Sequence, residues 1–320
     1  MATLLKVEDL HIGFGPLEPL AGVDVSVDRG RILGLVGESG SGKSMTAMSI
    51  MGLLRLMGGR IKSGRIVFDG TDLSTIGERA YRQLRGGRIA LITQNPMTSL
   101  DPVVTVGRQI DQVAEIHLGL PRKAAREKTL GLMARMRIPS PEMTYDLFPH
   151  QLSGGLRQRI VIAMALAGDP DLLIADEPTT ALDVTVQAQI IALLQELVKE
   201  KGLGLILITH DMGVVAQTCD EVAVMYCGKV VEYGPVNTIF DAPRHPYTRA
   251  LIGCIPQPGM AARSLAGIPG MVPPASAMPA GCRFNPRCPL AIEVCRASSP
   301  PSVIEAGRSV ACFLAEGASA

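Results

Sequence analysis

The sequence predicts an α/β fold in which a mostly parallel sheet is covered by helices and interrupted by a helical insertion. Three observations carry this expectation. Short apolar runs alternate with helix-length stretches, as in 172–175, 186–200 and 203–208, the rhythm of parallel strands joined by crossover helices. Between 107 and 138 helical spacing replaces the short runs, with Pro121 dividing 106–118 from 123–136. A glycine-rich loop, Gly37-Glu38-Ser39-Gly40-Ser41-Gly42-Lys43-Ser44, lies between the apolar run 32–36 and a helix-like stretch 45–57.

Taken in order, residues 23–28 alternate apolar and polar, the mark of a strand with one wet face. Asp28-Arg29-Gly30 turns this strand into the run 32–36. Residues 65–68 read as a strand ended by Asp69-Gly70. Residues 89–93 form a short buried strand that runs into Gln94-Asn95-Pro96, where proline forbids further pairing. A helix is expected at 160–167. Beyond about residue 241 proline becomes frequent and periodicity fades, which marks a loop-rich C-terminal segment.

Composition narrows the function classes. The chain has 320 residues, room for a core of roughly 200–250 residues and an appendage. It is 47% hydrophobic and 19% charged, hence globular. A formal net charge of +1 gives no electrostatic reason to expect nucleic acid or acidic lipid as the main ligand. No apolar run approaches the length that spans a bilayer. The opening residues lack a basic segment followed by a long apolar one, so no secretory signal is expected. Cys219, Cys227 and Cys254 sit in apolar surroundings and read as small buried hydrophobes.

The glycine-rich loop fits G-x-x-x-x-G-K-[ST] in its required strand–loop–helix setting. Such a loop aims backbone N–H groups and a helix N-terminus at one point, which holds polyphosphate. Lys43 would reach the β- and γ-phosphates and Ser44 would place its hydroxyl on Mg²⁺. The expected nucleotide contacts are Gly37, Glu38, Ser39, Gly40, Ser41, Gly42, Lys43, Ser44 and Met45. Downstream, the apolar run 172–175 ends in Asp176-Glu177. A buried strand would deliver Asp176 to the Mg²⁺ shell, while Glu177 could orient a water for in-line attack on the γ-phosphate. Upstream of that run, Ser153, Gly154 and Gly155 lie just before the helix expected at 160–167 and form a second phosphate cradle or, on a plainer reading, a serine cap on a glycine turn. A second cradle in a chain with one Mg²⁺ site is economically explained if it serves a partner's nucleotide.

Here the set of motifs resembles the ATP-binding cassette (ABC) ATPases over roughly residues 4–240. Leu152–Leu156 is similar to the LSGGQ signature, with Leu156 where the family usually has glutamine. Gln94 resembles the Q-loop residue, His210 the switch histidine, and Ala181-Leu182-Asp183 the D-loop. The resemblance implies a P-loop NTPase core with an N-terminal antiparallel β subdomain. It divides the chain into a core (1–95 and 165–240), a helical subdomain carrying the signature (96–164) and a tail (241–320). It also implies roles. Glu177 would be the catalytic base, and His210 would contact the γ-phosphate and the attacking water. Gln94 would touch Mg²⁺ beside Ser44 and Asp176, Asp183 would reach across a dimer, and Phe14 would stack on adenine. Ser153, Gly154 and Gly155 would act on the partner's nucleotide.

The tail narrows the resemblance. Pro243-Arg244-His245-Pro246-Tyr247-Thr248 before an apolar helix resembles oligopeptide and dipeptide importer ATPases. That implies two permease subunits, a second and paralogous cassette, an extracytoplasmic solute-binding protein, no nucleic acid, and a peripheral place on the cytoplasmic side of the inner membrane. Nickel or glutathione are alternative solutes. A soluble ABC ATPase of translation or DNA repair, or a redox regulator that only dimerises with ATP, are competing functions. Cys282, Cys288, Cys295 and Cys312 form C-x₅-C-x₆-C-x₁₆-C, in which a metal could replace a missing core. Zinc and an iron–sulfur cluster both accept four cysteines, but this spacing matches neither the zinc C-x₂₋₄-C pairs nor the common ferredoxin runs, and free thiols or an occasional disulfide are the third reading. Importer ATPases with similar tails hold a [4Fe–4S] cluster, which makes that the expected cofactor beside ATP and Mg²⁺, with Arg283, Arg287 and Arg296 available to offset its charge.

Overall fold

The computed structural model describes residues 3–180, 182–255, 267–305 and 307–315. Ala181 of the expected D-loop therefore lies outside the described residues. The chain divides into two units. One contains 28–31 and 75–207; the other contains 3–27, 32–74 and 208–320.

In the first unit Ile89–Ile92 pairs in parallel with Leu172–Asp176, in register from Ile89 opposite Leu172 to Ile92 opposite Ala175. Residues 204–207, within the strand Gly204–Thr209, lie on the other side of Leu172–Asp176. Leu172 to Ala175 are buried on both faces, and so is every residue of Gly204–Thr209. That burial explains why these runs are uninterruptedly apolar rather than alternating. The helical part comprises Val106–Leu118, Arg122–Arg135, Pro141–Tyr145 and Gly154–Leu166. Gly119, at φ 66°, closes the first of these helices in the left-handed cap that glycine takes most readily, and Pro121 precedes the second. Buried Val106, Ile110, Ala114, Leu132 and Met133 form its core. The helix Val184–Lys201 completes the unit.

The second unit holds a four-stranded sheet in the order Leu17–Asp28, Thr3–Phe14, Arg60–Phe68, Thr71–Asp72. Thr3–Phe14 runs antiparallel to Arg60–Phe68, with Leu5 opposite Phe68 and a bulge between Glu8 and His11. This is the antiparallel subdomain that the family resemblance implies. In the same unit Ile32–Val36 pairs in parallel with Glu221–Tyr226, which pairs antiparallel with Lys229–Pro235. Two strands from the tail, Arg308–Val310 and Val303–Glu305, extend that edge. The tail is thus stitched into the sheet by backbone hydrogen bonds.

Three local expectations need correction. The helix expected over 45–57 is Lys43–Ile50 followed by a short 3₁₀ turn, Leu54–Met57, because Gly52 adopts φ 65° and breaks the run. The helix expected at 160–167 starts six residues earlier, at Gly154, where Ser153 caps it. Cys219 and Cys227 are buried as expected, but Cys254 is only partly so, since it ends the helix Pro246–Gly253 near the surface.

Candidate functional site

The phosphate loop belongs to the second unit. It leaves the fully buried strand Ile32–Val36 at Gly37, whose φ is 147°. A Cβ there would lie 2.2 Å from the Met225 carbonyl oxygen, so no other residue fits. The loop is tied at several points. Gly228 donates its N–H to the Ser41 carbonyl at 2.7 Å, and Thr46 Oγ1 donates to the Gly42 carbonyl at 3.0 Å. Lys43 opens the helix and is only 7% exposed. Its ammonium donates to the Gly37 and Glu38 carbonyls at 2.7 and 3.1 Å and approaches Ser41 Oγ at 3.5 Å. A cation is therefore held inside the curl of the loop, where a polyphosphate would meet it. Ser44, in the first turn of the same helix, is half-buried and carries a hard oxygen donor of the kind Mg²⁺ takes. Phe14 is partly exposed, and its ring lies on Gly59, where an added Cβ would come within 2.6 Å.

The first unit carries the acids. Asp176 ends the strand Leu172–Asp176, and Glu177 follows with φ 48°, a left-handed conformation that costs about 1–3 kcal/mol in a non-glycine residue. The turn redirects the chain at once, so a buried strand presents a half-buried carboxylate at its end. Two donors fix that carboxylate. Gln94 Nε2 donates to Glu177 Oε2 at 2.9 Å, and Thr180 Oγ1 donates to the same oxygen at 2.8 Å. The structure thus brings together two residues that are 83 positions apart. Thr180 was not legible as a site residue, because a threonine after Glu177-Pro178-Thr179 carries no distinguishing pattern.

In this unit Ser153 and Gly154 are exposed, and Gly155 is partly so. Ser153 Oγ accepts from the Leu156 N–H at 3.3 Å, which is an N-cap. Asp183 is also exposed, and it caps the helix Val184–Lys201 by accepting from Val186 N–H at 2.9 Å. Both residues have local structural jobs and surfaces turned to solvent. His210 belongs to the second unit. It is exposed immediately after the strand Gly204–Thr209, and Asp211 caps the following helix through Gly213 and Val214.

The proline-rich tail motif forms a buried network in the second unit. Glu232 is fully buried and accepts from the Arg244 N–H at 2.8 Å, from the His245 N–H at 3.1 Å and from the Arg308 guanidinium. His245 Nδ1 accepts from Tyr247 N–H at 3.1 Å, and burial pulls its pKa down to about 3, so the ring is neutral. Tyr247 packs edge-on against Tyr226 with centroids 4.7 Å apart, and its hydroxyl accepts from the Glu38 N–H at 2.9 Å. The motif therefore ends on the phosphate loop, a function its sequence does not disclose.

Cys282, Cys288, Cys295 and Cys312 line one small, mainly apolar cavity, with His245 and Phe284 among its walls. Burial pushes the Cys282, Cys288 and Cys312 thiols up, which favours neutral thiols until a cation compensates the thiolate charge. An all-sulfur donor set suits zinc or an iron–sulfur centre. Among the described residues, however, no group of three or more His, Cys, Asp or Glu side chains is arranged to hold a metal ion. The cavity and the donors are present without a converged ion geometry. The nearby arginines face elsewhere: Arg287 pairs with Glu38, Arg283 donates to the Cys227 carbonyl, and Arg296 is exposed.

Residues 20–180 match the ABC transporter family, and residues 231–295 match the oligopeptide/dipeptide transporter C-terminal region. The chain is 46% identical over 314 residues to the dipeptide transport ATP-binding protein DppD of Escherichia coli (strain K12), covering 97% of this chain and 96% of that protein. It is 45% identical over 321 residues to the oligopeptide transport ATP-binding protein AppD of Bacillus subtilis (strain 168), covering 99% and 98%. Among solved structures, cbiO1 from Clostridium perfringens, part of the ABC transporter complex cbiONQ, superposes with a TM-score of 0.65 at 30% identity, over 76% of this chain and 92% of that one. The dimeric cassette MJ0796 gives the same TM-score at 24% identity over 73% of this chain and 99% of that one, a likeness of fold. With its glycine-rich loop, its acid-tipped strand and its tail all matched, the chain belongs to the ATP-binding subunits of the ABC transporter family, in the group with an oligopeptide/dipeptide-type C-terminal region.

Proposed function

We propose that this subunit hydrolyses ATP to energise membrane import of di- or oligopeptides. The observation that carries the reading is the Gln94–Glu177 hydrogen bond, which holds a carboxylate ready at the end of a buried strand. In the proposed reaction Glu177 takes a proton from water as the oxygen attacks the γ-phosphate, giving ADP and inorganic phosphate. His210 contacts the γ-phosphate and the attacking water. Lys43 and the loop residues Gly37 to Met45 hold the polyphosphate, and Phe14 stacks on adenine. Ser44, Asp176 and Gln94 would hold Mg²⁺, which would supply charge neutralisation on the phosphates.

Ser153, Gly154, Gly155 and Asp183 act on the nucleotide of a second cassette, in this reading a paralogue. Their exposure supports that assignment. Two permease subunits receive the motion, and an extracytoplasmic binding protein supplies the solute. The chain then works at the cytoplasmic face of the inner membrane; among the described residues no helix is long and apolar enough to cross it. The division into core (1–95, 165–240), helical subdomain (96–164) and tail (241–320) follows the same reading.

Cys282, Cys288, Cys295 and Cys312 are assigned to a [4Fe–4S] cluster, with zinc as the alternative. Their shared cavity and all-thiol donor set support it. Anaerobically purified protein should contain about four iron and four sulfide per chain; stoichiometric zinc without iron would replace the cluster by a zinc site.

The functional test is co-expression with the permeases and binding protein in vesicles. Peptide-stimulated ATP hydrolysis is the expected result. Recovery of the subunit on ribosomes or DNA, with no stimulation by peptide, would overturn the transport reading.

A further inference from the structure

The loop that carries the first two tail cysteines reaches the phosphate loop through a half-buried ion pair. Arg287, immediately before Cys288, donates from Nη1 to Glu38 Oε2 at 2.7 Å and from Nη2 to Glu38 Oε1 at 3.1 Å. The Arg287 side chain is 4% exposed and its guanidinium has no slack. Nε donates to the Pro269 carbonyl at 2.8 Å, Nη2 also donates to the Ile268 carbonyl at 3.1 Å, and the group lies 5.8 Å from the Tyr226 ring centroid. Glu38 is fixed from the other side, because its N–H donates to Tyr247 Oη. A bidentate, charge-assisted pair of this kind sets direction as well as distance.

The rest of the cysteine loop leans on the same place. Phe284 packs against Tyr226 and Tyr247 with centroids 5.1 and 5.3 Å away. Arg283 donates to the Cys227 carbonyl, next to Gly228, which itself donates to Ser41 of the phosphate loop. Within the loop, Asn285 Nδ2 donates to the Cys282 carbonyl at 2.7 Å, and the Cys282 N–H donates to the Cys295 carbonyl at 2.8 Å. The loop that carries Cys282 and Cys288 is thus tied toward the phosphate loop at Arg283, Phe284 and Arg287.

We propose that Arg287 is a positioning residue of the nucleotide site, through which the cysteine loop and the phosphate loop set each other's state. This rests on the reading of Gly37 to Ser44 as the nucleotide loop. When the cysteine loop is ordered, Arg287 holds Glu38, and the adjoining carbonyls that receive Lys43 stay in place. When the cysteine loop is disordered, the Glu38 carboxylate is released and the curl of the phosphate loop relaxes. Linkage makes the effect reciprocal: bound nucleotide must protect the cysteine loop as strongly as the ordered loop favours nucleotide.

The test uses the full chain, with two measurements on each variant. Equilibrium binding of a fluorescent ATP analogue gives affinity, and the rate at which Cys288 opens to iodoacetamide, whether from a bound group or from its cavity, mapped by mass spectrometry with and without ATP, gives the reverse coupling. Arg287→Ala should weaken nucleotide binding roughly tenfold, and Arg287→Lys should recover only part of it, since one ammonium cannot replace the fork. ATP should slow labelling of Cys288 in the unaltered chain and leave it unchanged in Arg287→Ala. If Arg287→Ala does not fold, Glu38→Gln tests the same pair from the other end while keeping the side chain's shape. Affinity within about twofold of the unaltered chain would overturn the proposal, because a coupling that small lies below the usual allosteric range. So would a weakened affinity with labelling that still responds to ATP, which marks Arg287 as merely structural. Failure of the unaltered chain to bind ATP would instead remove the nucleotide-loop reading, which the Lys43→Ala variant checks separately.

Discussion

Gln94 donates its side-chain amide to the Glu177 carboxylate at 2.9 Å, so the second residue past one strand of the first unit holds the acid that directly follows its neighbour. The pair matters because Gln94 opens the segment leading to the helical part, while Glu177 is the proposed base. Mg²⁺ would take the Gln94 amide oxygen, which leaves Nε2 on Glu177, so one side chain can serve the metal and the acid together. Thr180 Oγ1 donates to the same Glu177 oxygen.

Replacing Glu177 by Gln should keep both the turn and most of the shape while removing the proton acceptor. Hydrolysis by the assembled transporter should fall by about 10²–10⁴-fold, the usual contribution of a positioned base. ATP affinity should persist, and the ATP-bound form should accumulate as a cassette dimer visible by light scattering. Turnover that survives the substitution would take Glu177 out of the role of base.

Lys43→Ala acts earlier. The ammonium serves two carbonyls of the loop, Gly37 and Glu38, and is the cation the γ-phosphate would meet. Its removal should weaken ATP binding itself by an order of magnitude or more, as expected for loss of a charge-assisted contact worth about 1.5–3 kcal/mol. Titration calorimetry on the isolated subunit measures this directly, and an unchanged affinity would contradict the assignment of the loop.

The reach of the sequence differs sharply between elements. Strand 172–176 and the phosphate loop were legible because few structures satisfy an uninterrupted apolar run or three glycines at fixed offsets. The start of the signature helix was less so, since Gly154 and Gly155 have poor helix propensity and only the Ser153 cap announces them. The tail strands Val303–Glu305 and Arg308–Val310 span three residues each, too short for any alternation to show. The Arg287–Glu38 pair joins positions 249 apart, which no local pattern encodes. Tyr247 stood in a motif whose letters were readable while its target, the Glu38 N–H, was not.

His245 gives a pH dependence with a definite sign. Burial lowers its folded pKa from 6.5 to about 3, so the folded state excludes a proton that the unfolded chain accepts. Its contribution is fully present above pH 6.5 and is lost progressively as pH falls toward 3. The slope this single group adds is roughly 1 kcal/mol per pH unit. Protonation also removes the Nδ1 lone pair that receives the Tyr247 N–H. His245→Asn supplies an oxygen acceptor that does not titrate, so urea midpoints measured from pH 7 to pH 4 should fall less steeply in that variant. Equal slopes would mean that His245 is not the group that titrates.

Ser153 separates the role of one chain from the role of two. Its side chain is exposed and its local duty is to cap one helix, worth about 1 kcal/mol. Its proposed work is on the partner's nucleotide, where a bulky cation would block the approach of the second cassette. Ser153→Arg should therefore leave ATP affinity of the isolated subunit intact and lower the melting temperature only slightly. In the assembled transporter carrying the change in both cassettes, hydrolysis should drop by about 10²–10³-fold, the scale set by losing an anion-stabilising contact in a closed site. Full hydrolysis with both cassettes altered would mean that each chain cleaves its ATP alone, and the exposed signature would then need another purpose.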